Sequence, residues 1–321
     1  MNVSEVAIRV EKGENNNLNS DDIPIWDSHV HLFPPEIYRN WEKYAQKDQT
    51  FALLTKTDPD GKRTQEAWVD YEEAIACADE AGVYGLCMQG WYWNDEGLMR
   101  EHNDYMAEAI RRHPDRLKGF ISVNPKFGWH ALAEIERCER LGFSGIGELG
   151  PGGNGYDFTD PDFLAVLEMA RTLQLPVCIH CGEQAGHSYP GKDTTSLAPI
   201  PEIVKTHPDL KLILAHLGGG MPFYEMNRHF RDRFSNVRYD MAANPLLYDI
   251  RILRAVIDLV GAHRLFFGSD FPLLLYPSKC RKADMKLFLE DLDRNAGFSE
   301  EERKQIMGRN FLSFIKNSVD K

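Results

Sequence analysis

The 321-residue chain has no apolar run near the ~18 residues that a membrane-spanning helix requires. Its opening, MNVSEVAIRVEKGENNNLNSDD, lacks the apolar core of a secretory signal, and residues 1–24 read as a polar N-terminal extension. Positive charge is in deficit. The 37 Lys and Arg against 49 Asp and Glu leave a net charge of −12, which argues against nucleic acid as a partner. Cysteine is sparse: the six read as reduced, mostly buried thiols of a cytoplasmic protein. Cys178 and Cys181 flank His180 and read as small apolar fillers. No nucleotide-binding fingerprint is present, since GPGGNG (150–155) lacks the Lys-Ser/Thr of a phosphate loop.

What the chain does contain is a regular alternation. Short apolar runs occur at 25–31, 83–89, 117–124, 144–150, 176–182, 210–216, 236–242 and 264–270, bounded by Gly, Pro or Asn as buried parallel strands should be. Amphipathic stretches separate them. WVDYEEAIACADEAG (68–82) should end at Gly82, and DPDFLAVLEMARTLQ (160–174) should start with Asp160 as N-cap and Pro161 in the first turn. MPFYEMNRHFRDRF (221–234) also reads as a helix. Eight strand–helix units predict an α/β fold, a (β/α)8 TIM barrel, as one domain over 25–321; an open doubly wound sheet is the rival. Two insertions exceed ordinary βα loops. Residues 32–67 carry Trp41, Tyr44, Phe51 and a KTDPDGKR turn, and residues 182–198 carry GEQAGHSYPGKDTT.

The polar residues at the strand ends form the chemical signal. His29 and His31 end the first run, Glu148 the fourth, His180 the fifth, His216 the sixth and Asp270 the eighth. All C-terminal ends of parallel strands open on one face of a barrel, so four imidazoles and two carboxylates should ring one mouth. That donor set suits a divalent transition metal, zinc foremost. The remaining histidines 102, 113, 130, 207, 229 and 263 fall in or beside helices and read as surface residues. Asp27 reads as a partner of backbone or helix.

DSHVH, CIHCG, LAHLGGG and FGSDFP, in that order, resemble the amidohydrolase superfamily. Within it they are most similar to the amidohydrolase-related (amidohydrolase 2) branch, with its carboxymuconate-semialdehyde-type decarboxylases and dicarboxylate lactonases. The likeness runs from about Ile25 to about Ile315. It implies His29, His31, His180 and Asp270 as metal ligands, and His216 as the group that orients or deprotonates water. Glu148 resembles a bridging glutamate, which would allow a second ion beside the first. Asp270 and His216 would act as catalytic acid–base groups, the ion making a bound water a hydroxide source near neutral pH.

The first expectation is therefore a metal-dependent hydrolase of a small amide, ester or lactone. The alternative is a one-metal, non-oxidative decarboxylase of an aromatic or unsaturated acid. A TatD-like metallonuclease, disfavoured by the negative charge, and an inactive barrel kept for binding are further rivals. For the substrate, the sequence offers Trp91, Trp93, Asn124, His187, Lys192 and Arg281, all in or beside loops that follow strands. A small molecule is the expected partner, with a homodimer implied by the resemblance.

Overall fold

The computed structural model describes residues 23–55, 68–189, 191–230 and 233–316. Nearly all of the expected extension, and the KTDPDGKR turn, lie outside the described residues. Eight parallel strands follow one another in chain order round one sheet. They are β1 (Trp26–Val30), β2 (Gly85–Met88), β3 (Leu117–Ile121), β4 (Gly145–Leu149), β5 (Val177–Ile179), β6 (Leu212–Leu214), β7 (Val237–Asp240) and β8 (Leu265–Phe266). The last strand returns to the first. Ser28 N–H donates to Phe267 O at 2.8 Å, Asp270 N–H to His29 O at 2.8 Å, and His31 N–H to Phe271 O at 2.7 Å. These bonds close a barrel and exclude the open sheet.

Two apolar layers explain why the sheet closes. Outward-facing strand residues such as Leu86, Leu117 and Ile146 pack beneath the helices. A separate inner cluster gathers Trp26, Cys87, Phe120, Cys178, Ile213 and Phe266 from six strands, with Phe311, Phe314 and Ile315 of the last helix, Asn310–Ile315. Side chains from strands on opposite sides can meet only in the interior. Lys211, just before β6, donates to Phe314 O at 2.9 Å, which fixes this helix across the N-terminal end. The barrel is thus stoppered below and open above. Cys178 and Cys181, three apart on β5 and just beyond it, divide between the inner and outer layers, and all six cysteines are free.

The helix signals act as the sequence suggests. Helix Tyr71–Ala81 ends at Gly82 with φ +77°, a left-handed cap that glycine adopts without a Cβ clash. In helix Pro161–Leu173 the Asp160 carboxylate accepts from Asp162 N–H, with Pro161 in the first turn. The 221–234 segment differs: only Met221–Tyr224 is α-helical among its described residues. Glu225 is drawn inward instead, into a bidentate pair with Arg264 at 2.5 and 2.7 Å, and this burial competes with a continuous surface helix. No helix among the described residues is long and apolar enough to cross a membrane.

Replacing Phe311 with Ala removes the centre of the stopper and should destabilise the fold by roughly 3–5 kcal/mol. Urea unfolding should show a lower midpoint at unchanged slope; an unmoved midpoint would mean the helix does not hold the barrel closed.

Candidate metal centre

The open end gathers the six expected side chains. His29 Nε2 lies 3.2 Å from His31 Nε2, and His31 Nε2 lies 3.4 Å from Asp270 Oδ1. Glu148 Oε2 is 3.6 and 3.5 Å from those two imidazole nitrogens. Its other oxygen, Oε1, is 3.0 Å from His180 Nδ1 and 3.2 Å from His216 Nε2, themselves 3.1 Å apart. Glu148 therefore belongs to two donor triads, one with His29 and His31 and one with His180 and His216.

Backbone irregularities aim these groups. Strand β1 slips register between Asp27 and Val30, so Trp26 faces the inner cluster while His29 and His31 face the mouth. Strand β4 slips between Ile146 and Leu149. There Gly147 has φ +132°, and a Cβ on it would stand 2.4 Å from Cys178 O, so only glycine lets Glu148 turn inward at this place. His216 and Asp270 have φ +57° and +66°. Left-handed backbone at non-glycine residues is a strain that the surrounding fold must hold.

Asp240, at the end of β7, organises the floor. Its Oδ2 accepts from His29 Nδ1 at 2.9 Å, and its Oδ1 accepts from the backbone N–H of His216 at 2.9 Å and Ala242 at 3.1 Å. With its Nδ1 proton committed to Asp240, His29 presents the lone pair of Nε2 to the mouth. His216 Nδ1 likewise faces Ala242 O at 3.1 Å. Asp27 binds backbone as expected, accepting from His29 and Ser269 N–H. Asp240 lies in no motif that marks it, although it ends β7 much as the six expected residues end their strands.

The donor chemistry fits a cation. Two imidazole nitrogens 3.2 Å apart repel unless a proton or a metal ion lies between them. Metal–nitrogen bonds of ~2.0–2.1 Å in tetrahedral geometry separate ligand atoms by about 3.4 Å, the spacing seen here. Without the ion, burial disfavours a charged His29, but the Asp240 and Glu148 carboxylates outweigh it and raise its pKa well above the ordinary value. His216 is raised to about 9: burial opposes its charge, and Glu148 more than compensates. Glu148 is itself held well below the carboxylate range, since His180 and His29 overcome the effect of its burial.

The substrate-side residues fare differently. Trp91 and Trp93 are 1% and 0% exposed. Trp93 Nε1 donates to His102 Nδ1 at 3.0 Å, well inside the core. His102, expected on the surface, is fully buried, bridges to Leu32 O at 2.8 Å and is pushed down to about 4 by its burial. A helical position alone cannot reveal that a ring lies beneath an insertion. The Asn124 amide donates to Trp93 O at 3.0 Å, and its oxygen accepts from Lys126 N–H, so it braces a loop. Lys192 is paired with Glu183 at 2.9 Å, while His187 and Arg281 are exposed.

Residues 26–310 match the family described as Amidohydrolase. The chain is 24% identical over 346 aligned residues to the 2-amino-3-carboxymuconate-6-semialdehyde decarboxylase of Dictyostelium discoideum, covering 90% of each. It is 24% identical over 260 residues to the gamma-resorcylate decarboxylase of Polaromonas sp. (strain JS666 / ATCC BAA-500), covering 68% of this chain and 76% of that one. A shorter match, 30% over 118 residues, covers 36% of this chain and 45% of the 3'-5' ssDNA/RNA exonuclease TatD of Pantoea sp.. The fold is similar to that of the 5-carboxyvanillate decarboxylase from Novosphingobium aromaticivorans complexed with manganese and 4-hydroxy-3-methoxy-5-nitrobenzoic acid, with TM-score 0.70 at 16% identity, covering 92% of this chain and 97% of that one. The expectation of a hydrolase is corrected by these findings: the relatives matched over most of the chain are decarboxylases. Strand-end ligands cannot separate the two reactions, because both use the same cation-binding donors.

Two outcomes test the centre. Asp240→Asn should weaken affinity for zinc or manganese by about 10- to 100-fold, read by competition with a chelating dye. Because His29 holds its proton tightly in the ion-free site, metal loading at pH 7 should release a proton, and affinity should rise as pH is raised above 7. Calorimetry in buffers of different ionisation enthalpy measures that release directly.

Proposed function

The chain belongs to the amidohydrolase family, and from that premise we propose that it is a metal-dependent, non-oxidative decarboxylase of a small aromatic or unsaturated carboxylic acid. The observation that carries the reading is the match, over 90% of both chains, to a decarboxylase of an unsaturated acid. The match to an aromatic-acid decarboxylase supports the wider substrate class.

In this reading His29, His31, Glu148, His180 and Asp270 hold one divalent ion, zinc or manganese. When bound, the cation supplies positive charge that steadies the electron pair left as the carbon–carbon bond breaks. The chain's own groups do the rest. Asp240 holds His29 in the tautomer that faces the mouth. Asp270 borders the mouth and is the more exposed of the two acids there, which supports it as the group that carries a proton to the carbon losing the carboxylate. His216, fixed between Ala242 O and Glu148, steadies the substrate's developing negative charge as a donor. The balance is simple: the acid anion plus one proton gives the protonated product and carbon dioxide. The homodimer and cytoplasmic location belong to the same reading.

Metal analysis of the purified protein should give one equivalent, and two would assign Glu148 a bridging role. Incubated with a panel of conjugated acids, the metal-loaded enzyme should release carbon dioxide. His180→Ala should lose most of its metal and at least about a thousand-fold in rate, a loss on the scale of removing a principal electrostatic group. A variant that keeps both ion and rate would refute the assignment.

A further inference from the structure

Access to the centre is uneven. The side chains of His180 and Asp270 are 20% and 12% exposed, those of His31 and His216 only 8% and 6%. His180 is therefore the most open donor of the mouth. Tyr92 stands at that point, its ring centroid 6.1 Å from that of His180. Among the three aromatics of GWYWN it alone is partly open, the flanking tryptophans being buried.

The ring is held firmly. Trp91 stacks on it at 4.7 Å and 17°, and Trp91 in turn meets His31 edge-on at 5.4 Å and 87°. Gly150 and Gly153 form its seat: a Cβ on either would stand 2.5 or 2.7 Å from the tyrosine ring. The Tyr92 carbonyl accepts from Asn154 Nδ2 at 2.9 Å, pinning the backbone beneath. A large aromatic so braced, beside the most exposed imidazole of the site, serves recognition better than packing.

We propose that Tyr92 is the specificity-determining residue of this site, an aromatic rim whose partly open ring selects planar, conjugated carboxylic acids over saturated ones of equal size and charge. This rests on the decarboxylase reading, which supplies the carboxylate-binding centre. An acid anchored at the histidines and lying past His180 presents its flat π-system to the tyrosine ring, where offset or edge contacts are favourable.

Benzoate and cyclohexanecarboxylate share charge and carbon count and differ in planarity. Calorimetric titration of each into the metal-loaded protein should show benzoate binding about five-fold more tightly, within the range of an aromatic pair. Tyr92→Phe should keep that preference. Tyr92→Leu should reduce it below about two-fold while leaving cyclohexanecarboxylate affinity nearly unchanged. Gly153→Ala displaces the ring without removing it and should erode the preference too. Equal binding of both acids by the unaltered protein, or an intact preference in the leucine and alanine variants, would overturn the role of Tyr92 and leave the decarboxylase reading standing. Binding of neither acid would overturn both.

Discussion

The charge balance around Glu148 is the constraint on which the mouth depends. A carboxylate fully buried among four imidazoles needs positive charge to face it, and the raised His29 and His216 rings supply that charge in the ion-free protein. The two oxygens of Glu148 divide the histidines into pairs. Remove that carboxylate, and the two pairs of rings lose the one acceptor they share. Asp240 performs the same service from below, with the added task of fixing one ring's tautomer.

The barrel makes such a concentration of polar groups tolerable. Its interior is apolar and plugged at the N-terminal end by Phe311, Phe314 and Ile315, so the strands are anchored there and the polar layer occupies only the open end. The chain stores its irregularities in that upper layer: slipped register on β1 and β4, and left-handed backbone at His216, Leu217 and Asp270. Each costs local stability, and those on β1 and β4 and at His216 and Asp270 re-aim donors at the mouth. The three glycines after Leu217 share its left-handed backbone at lower cost, and His216 N–H is tied to Asp240 at the start of that turn.

The substrate side shows where pattern reading weakens. Trp91, Tyr92 and Trp93 are consecutive aromatic residues in the sequence, and the two tryptophans attract attention by size. Only the assembled loop shows that both are consumed by packing against Phe33, His31 and His102, leaving the tyrosine at the rim. Lys192 reads as an anion-binding lysine until Glu183 is found beside it.

The sequence alone determined the alternation of apolar runs and amphipathic stretches, the caps at Asp160 and Gly82, and the strand-end positions of His29, His31, Glu148, His180, His216 and Asp270. These are local properties, set by strand and helix periodicity and by backbone preferences that each residue carries with it. Only the tertiary structure decided that Asp240 lies under His29, that Glu148 is shared between two pairs of rings, that His102 is interior, and that Tyr92 is partly open beside His180. Those facts depend on closure of the barrel, because which side chains meet across its axis is fixed by register, bulge and twist summed over eight strands, and no single stretch of chain contains that sum.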